Sequence, residues 1–298
     1  MNHLTARTQR ISTALILPVV ILALAGCSQP AQTTEEIIQS VTSQLDEISS
    51  YKMDIEYAET LTGSDGSAME SQTQTRLQYL EPDFLRIDAK GVFEGPQGTS
   101  GLTIHTTFEN GKQKARFSQA SKNYSTTNSI VFDTSENAKD APFQGWNLSG
   151  FGILEGKDYI QTIRTMLTYS DFEKSDSDGS TTTLTGTPNI ERLTALLSKT
   201  LPADLARSSA KRVTTSIESL SLHVDTQRNL VIGFTQLEKM GDSDLIRSAR
   251  FKDVEINPRI SPSEFIFNEL PDEVFTDITE NLRKARALST PPQNAGKR

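Results

Sequence analysis

The sequence predicts an α+β fold in which one antiparallel sheet curves strongly around helices. Three observations predict it. Apolar–polar alternation at period two recurs towards both ends of the chain. Helical periodicity comes once before the first alternating segment and again in the middle. Between these segments stand turn signals and no obvious linker, so neighbouring strands join as hairpins.

The first helix starts near Thr33, which has capping-box spacing to Glu36, and carries the apolar stripe Ile37, Val41, Leu45 and Ile48. The period then changes. Met53, Ile55 and Tyr57 alternate with Lys52, Asp54 and Glu56, a strand with one dry face and one wet face. After the turn 63–66 a mostly polar strand runs from Met69 to Leu80. Leu85, Ile87 and Ala89 alternate on the next strand, and Leu102, Ile104 and Phe108 lead to the hairpin signal Asn110-Gly111. A return strand covers Ala115 to Phe117, and residues 120–156 read as irregular.

Tyr159, Ile160, Ile163, Met166 and Leu167 mark a second helix. Short strands follow near Phe172 and at Thr182 to Thr185, and Pro188 is placed to open a third helix with Ile190, Leu193, Leu196 and Leu197. A further helix fits 200–210. The last third is β again: 220–224, 230–234 and 245–256, then an ordered terminal element over 257–267.

Ahead of all this lies a segment of another kind. Arg7 and Arg10 precede an apolar run from Ile11 to Ala25, which closes on Leu24-Ala25-Gly26-Cys27 with the chain's single cysteine. This is the layout of a secretory signal, and it resembles the lipobox of bacterial lipoproteins. The resemblance implies cleavage before Cys27 and acylation of its thiol and new amino terminus. Residues 1–26 are thus expected as signal, 27–32 as an acylated tether, 33–280 as one domain with a helical insertion near 120–210, and 281–298 as a polar tail. Within it Ser28 to Gln32 spans about 17 Å fully extended, at about 3.3 Å per residue, so the domain is expected close to the membrane that its acyl chains enter.

Without residues 1–26, which hold two arginines and no acid, the 30 basic residues fall to 28 against 38 acidic, a net of −10. That balance disfavours nucleic acid, whose binding rests on neutralised phosphates. With no second cysteine, disulfides and thiolate metal sites are excluded. No nucleophile elbow, phosphate loop or paired zinc motif appears, so a binding module without cofactor or metal is expected, not an enzyme. His105 and His223 fall on the polar phase of their strands and read as surface histidines, and Asp176-Ser177-Asp178-Gly179 reads as a solvated turn.

Two segments carry a further resemblance. Residues 79–87, Tyr79-Leu80-Glu81-Pro82-Asp83-Phe84-Leu85-Arg86-Ile87, resemble a strand of the outer-membrane lipoprotein carrier superfamily, the LolA/LolB-like proteins. Phe251 to Pro258, then Phe265-Ile266-Phe267 and Leu270-Pro271, resemble that superfamily's end. The resemblance implies an incomplete β-barrel closed by helices over an apolar cavity that holds acyl chains of lipoproteins, or of glycolipids in mycobacterial lipoproteins of similar fold. Glu81 stands where the soluble carriers have an arginine.

Leu85, Ile87, Trp146 and Phe151 are the cavity candidates. Leu85 and Ile87 fit either a packed core or a cavity wall, and Trp146 and Phe151 either core anchors or a cavity mouth. The function expected is a membrane-anchored envelope lipoprotein that binds acyl chains of a lipid or lipoprotein for transport or sorting, with an envelope protein as a further partner. The alternative is a structural lipoprotein of the same fold without a ligand. Its place is the periplasmic face of the outer membrane where there are two membranes, and the outer face of the cell membrane otherwise.

Overall fold

A computed structural model describes residues 32–82, 84–95, 98–109, 111–122, 124–133, 159–199 and 201–281. Among these the chain forms α1 (Thr34–Asp46), β1 (Ser50–Thr62), β2 (Ala68–Leu80), β3 (Phe84–Gly95), β4 (Gly98–Glu109), β5 (Lys112–Ser121) and β6 (Ser125–Asp133). Next come α2 (Tyr159–Tyr169), β7 (Ser170–Asp178), β8 (Thr181–Pro188), α3 (Ile190–Leu197), α4 (Ala203–Ser216), β9 (Ile217–Asp225), β10 (Leu230–Met240) and β11 (Ser243–Ile256). A 3-10 turn (Pro262–Phe265) and the short β12 (Thr276–Asp277) follow.

All twelve strands belong to one sheet, ordered β12-β6-β5-β4-β3-β2-β1-β11-β10-β9-β8-β7. Every pairing is antiparallel except β12 on β6. Among the described residues the sheet is curved and open, with no pairing between its edge strands β12 and β7, and the α+β class is the one the sequence predicts. The early and late strands meet where β1 pairs with β11, Ile55 opposite Phe251.

The alternation in β1 divides the sheet into two faces. Tyr51, Met53, Ile55 and Tyr57 are all 3% exposed or less, and they join one apolar cluster with Ile87, Ala89, Ile104, Leu222 and Phe234. Helices cover this face: α1 packs on β7 and β10, α2 on β7, and α4 on β8, β9 and β10. The α1 stripe Ile37, Val41 and Leu45 is fully buried, each side chain contributing about 1.5–3 kcal/mol of transfer free energy. On α4, Ala206 and Ala210 are fully buried, where larger side chains would hold the helix off its neighbours.

The other face is polar. Lys252, Asp54, Arg76, Asp88, His105 and Arg116 stand in register across β11, β1, β2, β3, β4 and β5, a cross-strand row of mostly alternating sign. The segment after β11 crosses this face as a strap. Asn257, at φ 53°, starts it. Its Oδ1 accepts from the amides of Ser49 at 2.8 Å and Ser50 at 3.3 Å, and its Nδ2 donates to the Glu47 carbonyl. The strap is then fastened by Lys52 to Glu264 at 2.9 Å, Lys114 to Glu269 at 2.5 Å, and Arg116 to Glu273.

Two expectations are corrected. Residues 125–133, read as irregular, form β6, because β5 supplies the whole hydrogen-bonding edge and alternation is not needed. Pro188 does not open a helix. It ends β8 opposite Ser170, and Asn189 caps α3 by accepting from the amides of Glu191 and Arg192.

Candidate functional site

Between the helices and the apolar face lies a cavity of about 340 Å³, at the small end of the range for ligand pockets. Its roof comes from α2 (Met166), α3 (Leu193, Leu196, Leu197) and α4 (Val213), and Phe234 of β10 lies in its floor. The helices turn these side chains inward at helical spacing. Leu193 and Met166 are 5% and 7% exposed, so these two wall side chains are shielded from bulk water.

One end of the cavity is polar. The Tyr57 hydroxyl donates to Glu59 Oε2 at 3.0 Å, and Arg247 Nε donates to the same oxygen at 3.2 Å. Arg247 also donates to Glu238, which accepts from Gln236 as well. Burial works against the charge on Arg247, but Glu238, Tyr57 and Glu59 outweigh it and raise its pKa. Burial, with the adjoining Glu59 carboxylate, pushes the Tyr57 phenol up, so it stays a neutral donor. Thr162 Oγ1, in the cavity wall, is buried and has no hydrogen-bond partner among the described residues. The site is therefore amphipathic, with apolar walls and an end that holds two carboxylates and one guanidinium.

The residues singled out from the sequence lie elsewhere. Leu85 and Ile87 are 8% and 1% exposed in the apolar cluster, and neither lines this cavity. Cys27, Trp146 and Phe151 lie outside the described residues. His105 is not a surface histidine: its side chain is 15% exposed, its Nδ1 bonds Asp88, and Phe267 of the strap packs on its ring at 4.7 Å. His223 is half-buried, 3.2 Å from the Thr183 hydroxyl. Among the described residues no cluster of His, Cys, Asp or Glu could hold a metal ion.

The polar end went unremarked in the sequence, yet it left a signal there. Leu245, Arg247, Ala249 and Phe251 share one strand phase, and Arg247 is the charge that interrupts it. Phe234, Gln236 and Glu238 do the same on β10.

No protein-family model matches the chain, and no curated protein matches it. Solved structures do. A DUF1329 family protein from Desulfovibrio piger has 10% identity and a TM-score of 0.28, over 79% of this chain and 98% of that one. The MucA/MucB complex of Pseudomonas aeruginosa has 10% identity and a TM-score of 0.31, over 78% and 60%. A domain from Vibrio parahaemolyticus, described as that of an outer membrane lipoprotein-sorting protein, has 13% identity and a TM-score of 0.26, over 77% and 94%.

Proposed function

We propose that this chain is a lipid-anchored protein of the bacterial envelope that holds acyl chains of a lipid or lipoprotein between its helices and its sheet. The observation that carries the reading is the cavity itself. Its leucine and phenylalanine walls take methylenes out of water with few directional contacts. Its polar end supplies carboxylates beside Arg247, which suit a head group that donates hydrogen bonds. Acyl chains on Cys27 would keep the cavity within reach of the bilayer from which a ligand comes. Transport or sorting follows as the role, because a tethered site that takes up and releases a lipid needs no chemical step.

Native mass spectrometry of the Cys27→Ser chain, purified from a bacterial host without detergent, tests this. An added mass of one acyl-bearing lipid supports the reading, and a clean apo mass rejects it.

The second reading is an interaction lipoprotein without a ligand. It is favoured by the burial of Leu85 and Ile87, which leaves that part of the apolar face filled. On that reading the 340 Å³ space is a packing defect, and closing it stabilises the protein.

A further inference from the structure

The polar face of the sheet carries a second, larger depression, a trough of about 1080 Å³ that reaches from Lys90 and Val92 on β3 to Thr181 on β8. Its floor is made of small side chains: Ala58, Thr235 and Ser248, with Gly233 among them. Along one side runs a register row, His223, Gly233, Arg250, Glu56, Gln74 and Lys90, each opposite the next across adjacent strands.

The charges of this row are not balanced as their neighbours are. Elsewhere on the same face Arg76 is met by Asp54 at 3.0 Å, Arg86 by Asp88 at 2.9 Å, and Lys252 by Glu56 at 2.6 Å. Lys52, Lys114 and Arg116 are met by the strap acids Glu264, Glu269 and Glu273. Lys90 and Arg250 are exposed, and among the described residues neither has a carboxylate partner. The one acid between them, Glu56, is taken by Lys252. At the end of the row His223 is half-buried, and burial first, with the positive charge of Arg250 second, holds its pKa below the usual value.

We propose that this trough docks an extended acidic peptide segment of a partner protein, laid across the strands as the strap is laid over the other half of the same face. The strap shows that this face accepts acidic main chain with interspersed apolar residues: Phe265, Phe267 and three glutamates lie on it. Spacing sets the requirement. Lys90 on β3 and Arg250 on β11 are three strand spacings apart, about 14 Å. Acids four positions apart in an extended chain are about 13 Å apart and point to the same side. The trough and the acyl cavity lie on opposite faces, so this proposal stands whether or not the cavity holds lipid.

Fluorescence anisotropy on the full Cys27→Ser chain tests it, with a dye-labelled extended peptide that carries two glutamates four positions apart. Controls are the same peptide with lysines and one with adjacent glutamates. The glutamate peptide is expected to bind, the lysine peptide not, and added salt to weaken the complex. Lys90→Glu with Arg250→Glu should weaken it at least about tenfold. Lys90→Met with Arg250→Met, which adds no repulsion, should weaken it as well. Equal binding by either double variant or by the lysine peptide would overturn the proposal. So would indifference to glutamate spacing together with full displacement by excess inorganic phosphate, which would make this a small-anion site.

Discussion

The Tyr159 hydroxyl donates to the Val231 carbonyl at 2.8 Å, at the point where the pairing of β9 and β10 slips between Val231 and Gly233. Such a bulge leaves main-chain groups outside the ladder, and α2 reaches down to satisfy one. Tyr159 is 1% exposed, with its ring edge-on to Phe251 and Tyr51. Tyr159→Phe keeps the rings and removes the donor. It should cost about 1–3 kcal/mol, the penalty for orphaning a buried carbonyl, read from urea unfolding midpoints. An unchanged midpoint would mean that the carbonyl finds another donor.

The fold was largely legible where one face is dry. β1 announces itself because Met53, Ile55 and Tyr57 go inward while Lys52, Asp54 and Glu56 go out. β6 was missed because Ser125 to Asn128 are all polar and exposed, so its strand character comes from β5 and not from its own residues. The site was less legible. Glu59, Glu238 and Arg247 meet only through the β1–β11 and β10–β11 pairings, which join residues 188 and 9 positions apart. His105 misled for a similar reason. Its alternation phase is polar, and only the return of the strap with Phe267 covers it.

Glu273 fastens the strap. Hydrogen bonds from Arg116 lead the causes that lower its pKa from 4.5 to about 2, with Ser129 and the Leu270 amide adding to them against burial. A carboxylate whose folded pKa is depressed gives stability that is fully present above the unfolded value. That stability is lost as pH falls through the folded value. The stability gap between wild type and Glu273→Gln should therefore be widest above pH 4.5 and shrink towards pH 2. Denaturant titrations at a series of pH values would read it, and a gap independent of pH would exclude the ionised latch.

Gly186 sits on β8 where β7 passes close by. A Cβ there would lie 2.2 Å from the Asp171 carbonyl oxygen and 2.9 Å from its carbon, and backbone cannot yield as a side-chain end can. Gly186→Ala should destabilise the chain by about 1–3 kcal/mol, seen as a lowered thermal midpoint. A neutral outcome would mean that β7 can shift freely at Asp171.

Arg247 stands between two carboxylates, with its side chain 25% exposed and Glu238 14% exposed. Arg247→Met leaves both acids facing each other. It should cost about 1–3 kcal/mol, less than a fully buried pair because water still reaches the cluster. Adding Glu59→Gln and Glu238→Gln should recover most of that loss. Failure to recover would show that Arg247 acts through its packing and not its charge.

The most direct test of acyl binding compares native mass spectra of the Cys27→Ser chain with and without Leu196→Trp, which enlarges a side chain of the cavity roof. One bound acyl-bearing lipid is expected in the first, and its loss in the second with the fold intact. An apo mass in both, or lipid retained after the cavity is filled, would contradict it.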